Sequence, residues 1–290
     1  MTPFELVEPR TLHEAVGLLD AEDPAVRPIA GGTALMQMMK TGVFKPTRLV
    51  SLRAVEDKFS RIEADTGGGL RIGALTPLSV LERSADVRSR APALPGALLT
   101  LSNVRVRNVA TLGGHLAHAD PHMDLPPLLM AMGARITVAG PAGSRTMPVD
   151  ELFAGYYETS LARNELIAEV TIPPQADRRS AYMKCTTRSA DDWPALGVAV
   201  SLQTDGRTVK AADVVISAAT EKPTRLAAVQ KILSGARLDQ TTLHRAGDAA
   251  MVDAQTIDDV RGSAAYKREL VRVYVMRAVQ QAVGNGAGRG

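Results

Sequence analysis

The stretch "VATLGGHLAHADPHMDLPP", residues 109–127, brings two adjacent glycines, three histidines and two aspartates together in a chain otherwise rich in alanine and leucine. Two chemistries compete for it. His115, His118 and His122 have the short spacings of metal ligands, with Asp120 and Asp124 as oxygen donors. Pro121 argues against a metal centre, because it stands between His118 and His122 and keeps the two imidazoles from projecting off one regular helical turn. His118 and His122 then read as solvated loop histidines, and no residue is assigned to a metal. The second chemistry is a cradle for a phosphorylated ligand. Gly31-Gly32-Thr33 and Thr111-Leu112-Gly113-Gly114 each follow an extended run, where glycine lets backbone N–H groups come close to an anion. Two such loops can hold a diphosphate from two sides. Neither has the G-x-G-x-x-G or Walker spacing, and a plain tight turn accounts for either loop alone.

The surrounding pattern says what must position these loops. Thr11 stands three residues before Glu14, a capping-box spacing, and Ala15, Leu18 and Leu19 share a helical face. "VRPIAGG" reads as a strand ending in a glycine turn, and "TALMQMMKTG" as a helix stopping at Gly42. From 49 to 75, "LVSL", "FSRIEA", the "DTGGG" turn and "LRIGAL" alternate as strands with a hairpin-like connection. "TPLSVLERSADVRSRAPALPGALLTLS" reads as helices broken by Pro92 and Pro95. "PPLLMAMGA" is a helix, and "RITVAG" and "LIAEVTIP" are strands. Pro173, Pro174 and "QADRRS" mark the best boundary. "LGVAVSLQTDGRTVKAADVVISAA" reads as two strands around Asp205-Gly206, followed by helix to about 282 and a disordered tail over 285–290.

Composition narrows the function. The chain has 290 residues, 45% apolar and 22% charged, which suits one large or two ordinary globular domains. A formal charge of +3 spread along the sequence, with one Trp, five Tyr and four Phe, argues against a nucleic-acid partner. The single cysteine, Cys185, excludes an internal disulfide and a thiolate-held iron–sulfur cluster, which takes about four cysteines. Neither a signal-like N-terminus nor a run of about 18 apolar residues occurs, so no transmembrane segment and a cytoplasmic location are expected.

Four segments, in this order, resemble a known family: "FELVEPRTLHEAVGLL", "PIAGGTALMQMMK", "RNVATLGGHLAHADPHMDLPPLLMAMGARI" and "YMKCTTRSADDWPALGVAV". The family is the FAD-binding medium subunit of molybdenum hydroxylases, which includes the xanthine dehydrogenase flavin domain and the carbon monoxide dehydrogenase flavoprotein. The resemblance spans essentially the whole chain, and the third segment is its most specific part. It implies an α+β fold. A two-part FAD-binding domain of the vanillyl-alcohol-oxidase (PCMH) type would occupy 1–175, with its subdomains split near 55–60. A smaller C-terminal α+β domain over 176–284 would carry a three-stranded antiparallel sheet and helices.

The resemblance also implies site residues. Pro28, Ile29, Ala30, Gly31, Gly32, Thr33, Ala34 and Leu35 form the first FAD loop, and Thr111, Gly113 and Gly114 the second, holding diphosphate and ribityl chain through amides and hydroxyls. Asp124 matches an aspartate that touches the cofactor, and it can equally cap the helix containing Pro126 and Pro127. Lys184 matches a lysine near the flavin, where a cation offsets the negative charge of the reduced ring, or else is a surface lysine at a strand end. Trp193 lies in a loop that runs beside the flavin in relatives, or packs in the core. Leu101 and Ile167 fall where apolar neighbours of FAD occur, or are routine core residues. His115 departs from the family, whose members usually have asparagine there. It is bulkier and titrates near neutral pH.

The implied function is electron transfer. No catalytic residue is assigned. FAD in this chain would receive electrons from 2Fe–2S clusters of a small iron–sulfur subunit, beside a large subunit holding the molybdenum cofactor, in an (αβγ)2 assembly. An external electron acceptor would then reoxidise it. A nucleotide-binding or scaffolding module without redox function is the alternative that His115 keeps open, and a free-standing flavoenzyme finds no acid–base constellation in the sequence.

Overall fold

The computed structural model describes residues 2–284; the tail expected over 285–290 lies outside the described residues. The chain opens with a three-stranded parallel sheet in which Arg48–Ser51 lies between Glu5–Val7 and Val26–Ile29. Parallel neighbours require crossovers, and here these are the helices Leu12–Leu18 and Thr33–Lys40. Thr11 caps the first, its hydroxyl accepting the Glu14 N–H at 3.1 Å. The reciprocal half of the expected box is displaced: the Glu14 carboxylate accepts the Arg10 N–H at 2.8 Å, one residue upstream of the usual partner. "LVSL" does not belong with the hairpin that follows it. It forms the central parallel strand, and Leu49 and Val50, which point to opposite faces, are both buried.

A five-stranded antiparallel sheet follows, ordered Ile62–Ala64, Leu70–Gly73, Leu166–Ile172, Arg135–Gly140, Gly143–Pro148. The "DTGGG" turn joins its first two strands, the Asp65 carboxylate accepting the Gly69 N–H at 2.8 Å. Short helices between Leu78 and Ala131 build the core against this sheet around Leu78, Leu94, Leu98, Leu116 and Leu128. Pro92 separates the helices Ala85–Arg90 and Ala93–Leu99, as expected, whereas Pro95 breaks none. Pro92 is the N-cap of Ala93–Leu99 and Pro95 falls in its first turn, where the missing N–H removes no intrahelical bond.

After Pro173 and Pro174 comes a second antiparallel sheet, ordered Arg178–Cys185, Leu196–Asp205, Thr208–Ser217, Thr224–Arg225. The sheet has four strands where three were expected, because the two-residue Thr224–Arg225 pairs onto the edge of Thr208–Ser217. Its hairpin turns at Gly206, whose φ is +55°, with Asp205 paired to Thr208. The helices Ala227–Leu233, Gln240–Asp253 and Ala264–Gly284 cover one face around Val200, Val214, Val271 and Val275. Ala199 and Val215 on the other face join the core of the preceding helices and sheet, so the two halves share one buried seam. Among the described residues no helix is long and apolar enough to cross a membrane.

Candidate functional site

Every residue that the sequence assigned to FAD lines one cavity of about 380 Å³, from the Pro28–Leu35 loop through Leu101, Thr111, Gly113, Gly114, His115, Asp124 and Ile167 to Lys184 and Trp193. The first loop is its donor side. Gly32 precedes the Thr33–Lys40 helix in a left-handed conformation, φ +69°, and offers no side-chain cap. Among the described residues the N–H groups of Gly31, Gly32, Thr33, Ala34 and Leu35 find no acceptor within the chain, and the first bond of this turn runs from the Met36 N–H to the Gly32 carbonyl. A helix start with unspent donors and the positive end of its dipole is an anion site.

The second loop plays a different part from the one expected of it. The Leu112 N–H donates to the Thr76 carbonyl at 3.0 Å, that of Gly113 to the Ala74 carbonyl at 2.7 Å and that of His115 to the Thr111 carbonyl at 2.9 Å. The Gly114 N–H donates to the Thr111 hydroxyl at 3.2 Å. Thr111 thus caps the Leu112–His118 helix, and the amides of Leu112 to His115 are spent within the chain. Its glycine at 113 serves packing, since a Cβ there would stand 2.6 Å from the Ala74 Cβ. What the loop presents to the cavity is His115. This side chain is buried and its Nε2 has no hydrogen-bond partner. Burial, reinforced by neighbouring His118, pushes its pKa down to about 3, so a neutral imidazole faces the ligand.

Asp124 occupies the N-cap position of Leu125–Ala131 but makes no capping bond. Its carboxylate reaches across to the C-terminal sheet, where the Tyr182 hydroxyl donates to Oδ1 at 2.6 Å and Lys184 Nζ to Oδ2 at 3.2 Å. Lys184 is therefore no surface lysine: it is buried and also donates to the Thr100 carbonyl at 2.7 Å. Burial raises the Asp124 pKa, while Lys184 and Tyr182 pull it back. Leu101 and Ile167 are both core and cavity wall. Trp193 is not core. It is 49% exposed at the cavity and stacks on His122 with ring centroids 5.7 Å apart.

His118 and His122 correct the expectation of solvated loop residues. His118 is half-buried and meets Tyr157 edge-on, and His122 is buried between Asp120 and Asp259. Both histidines line the cavity, as do Arg27, Leu75, Met123 and Leu166. Sequence reasoning missed these last four because they lie on strand ends and turns whose facing is set by the sheets. Among the described residues no cluster of three or more His, Cys, Asp or Glu is arranged to hold a metal ion.

Residues 2–175 match the family described as the FAD binding domain in molybdopterin dehydrogenase, and residues 180–282 match the CO dehydrogenase flavoprotein C-terminal domain. The chain belongs to this flavoprotein family. The flavoprotein is 31% identical to the carbon monoxide dehydrogenase medium chain of Hydrogenophaga pseudoflava over 96% of each chain. It is 28% identical to the glyceraldehyde dehydrogenase medium chain of Sulfolobus acidocaldarius over 96% of this chain and 98% of that one. Its backbone superposes on the solved carbon monoxide dehydrogenase of H. pseudoflava that lacks the Mo-pyranopterin moiety with a TM-score of 0.93. That match has 33% identity and covers 98% of this chain and 99% of the other. The α+β fold with an FAD-binding domain and a C-terminal domain is thus that of the family, and FAD is its cofactor. The residues present suit this cofactor: unspent N–H groups answer a diphosphate, and the orphaned His115 nitrogen answers a polar group of the ligand.

Proposed function

We propose that the flavoprotein is the electron-transfer subunit of a molybdenum hydroxylase complex. It takes electrons from 2Fe–2S clusters of a small subunit, beside a large subunit with the molybdenum cofactor, and passes them to an external acceptor. Residues 1–175, split near 55–60, form the FAD-binding domain and 176–284 the second domain, in an (αβγ)2 assembly. The observation that carries this reading is the single cavity uniting the unspent amides of Gly31 to Leu35 with buried His115, Asp124 and Lys184. The lone cysteine, Cys185, is buried, so cluster ligands must come from another polypeptide.

When bound, FAD supplies an electron carrier that joins one-electron donors to its acceptor. The chain's own residues do the rest. The N–H groups of Gly31 to Leu35 hold the diphosphate. Neutral His115 gives or takes one hydrogen bond without adding charge. Lys184, held by Asp124 and the Thr100 carbonyl, keeps a fixed cation at the cavity where negative charge accumulates on reduction. Leu101 and Ile167 exclude water.

An absorption spectrum of the purified chain tests the reading. Flavin bands near about 370 and about 450 nm, with one FAD released per chain, are expected. A colourless chain that does not take up added FAD would overturn it in favour of a nucleotide-binding or scaffolding module. The same titration examines His115. Substituting phenylalanine removes the orphaned nitrogen and should weaken FAD binding roughly tenfold, about 1–2 kcal/mol. His115→Asn should preserve or strengthen binding. Because His115 stays neutral, its contribution should be constant from pH 8 down to about 5; a binding curve that follows an ordinary histidine titration in wild type but not in His115→Asn would refute this.

A further inference from the structure

From His122 in the cavity wall runs inward a buried row of charged side chains that the cofactor reading does not use. The Tyr157 hydroxyl donates to Asp120 Oδ2 at 2.8 Å, and Asp120 Oδ1 faces His122 Nδ1 at 2.9 Å. His122 Nε2 faces Asp259 Oδ2 at 3.0 Å, and the same oxygen lies 2.6 Å from Lys267 Nζ, which also donates to the Ala218 carbonyl at 2.9 Å. Lys267 is fully buried, and Asp120 and His122 nearly so. The row joins two distant parts of the chain: Asp120 and His122 precede the Leu125–Ala131 helix, while Asp259 precedes the Ala264–Gly284 helix.

Geometry decides the protonation state of the centre of this row. Neutral imidazole has one N–H, yet both ring nitrogens of His122 face carboxylate oxygens that accept only. The doubly protonated ring satisfies both contacts. It also balances the row, with Asp120 and Asp259 negative and His122 and Lys267 positive. The pKa agrees in direction: burial opposes the charged ring, but the bonds to Asp120 and Asp259 outweigh it and hold the value above that of an ordinary histidine. Asp259 is held below the usual carboxylate range, where its bonds to Lys267 and His122 overcome burial.

The ring so held is also the platform for Trp193. The two planes lie 11° apart, and the guanidinium of Arg261 sits 5.7 Å from the indole centre, tied to Asp192 at 3.2 Å. We infer that His122 is a positioning residue for the cofactor cavity: its imidazolium clamps the Asp259–Arg261 turn to the cofactor loop and fixes Trp193 as part of the cavity wall. The link to FAD rests on the function proposed above; the clamp itself does not.

The groups facing His122 from each packed element are Asp120, Asp259 with Lys267 behind it, and Trp193 with Arg261. Tyr157 and His118 adjoin Asp120. With a raised folded pKa, the clamp is complete below the unfolded histidine value near about 6.5 and is released as pH rises through the folded value. Release leaves the buried row with an uncompensated negative charge.

Trp193 is the one tryptophan of the chain, so its emission reports the clamp directly: an imidazolium stacked on indole quenches it, and neutral imidazole does so far less. The experiment is a pH titration of Trp193 emission in the full-length chain, with FAD dissociation followed alongside. The wild type should brighten with a midpoint above that of free histidine and lose FAD about tenfold faster past it. Asp259→Asn should move the midpoint to lower pH, and His122→Gln should abolish the titration. Wild-type emission that does not change with pH overturns the inference, as does an unaltered midpoint in Asp259→Asn even if His122→Gln fails to fold. A wild-type chain that shows the titration yet binds no FAD would sustain the clamp and defeat the electron-transfer reading instead.

Discussion

Gly31→Ala is expected to yield a chain that no longer retains FAD through gel filtration. A Cβ at this position would stand 2.1 Å from the Val109 carbonyl oxygen, 2.7 Å from its carbon and 2.9 Å from the Ala110 Cα. All three are backbone atoms, so no rotamer change relieves the overlap, and the two cofactor loops must move apart. The displaced loop is the one whose N–H groups are unspent. A shift of about 1 Å spoils several charge-assisted bonds together, and we expect at least about a hundredfold weaker binding, about 3 kcal/mol. Gly114→Ala serves as the control. Its Cβ would crowd only the Thr111 hydroxyl, at 2.9 Å, a side chain that can turn aside at the cost of a helix cap, about 1 kcal/mol. Equal flavin content in Gly31→Ala and wild type would show that close contact between the loops does not shape the cradle.

The second large effect concerns the pair that crosses the seam between the halves. Lys184 and Asp124 have only 6% of each side chain exposed. Removing one member of such a pair leaves a buried charge without compensation, which typically costs about 3–5 kcal/mol. Lys184→Met should lower the unfolding free energy by about that amount in urea denaturation. The deficit should depend on pH. Burial already raises the Asp124 pKa, and Lys184 is the main influence holding it down. Without the lysine, the folded state favours the protonated acid. Stability is then full below the unfolded aspartate value near about 3.9 and is lost as pH rises through the raised folded value. The variant should therefore stand closer to wild type at pH 5 than at pH 8. Adding Asp124→Asn should recover part of the loss at pH 8, because no charge remains to be stranded. A deficit below about 1 kcal/mol that is equal at both pH values would show that the pair is solvated.

The local parts of this molecule were readable in advance. Thr11 starts a helix because its hydroxyl meets an N–H three residues on. Asp205-Gly206 turns a hairpin because glycine accepts positive φ. Both glycine loops reach one cavity, and the motif order that identified them also located Asp124 and Lys184 on it. Sequence reasoning erred where one local feature had two uses. Pro95 lacks an N–H and so reads as a break, but that same lack suits the first turn of Ala93–Leu99. Glycine at 113 permits close backbone approach, which reads as an open cradle, but here the approach is to Ala74.

The sequence by itself therefore determined the family, the cofactor and the two glycine loops that line one cavity, since glycine placement and capping residues act over a few positions and leave a local signature. Tertiary structure decided which amides remain unspent and which charges are paired. Asp124 lies 60 residues from Lys184 and His122 lies 137 from Asp259. No period or propensity spans such distances. A buried charge is tolerable only beside a partner that the crossovers and shared sheet bring to it, and that partner exists only once the two halves have packed.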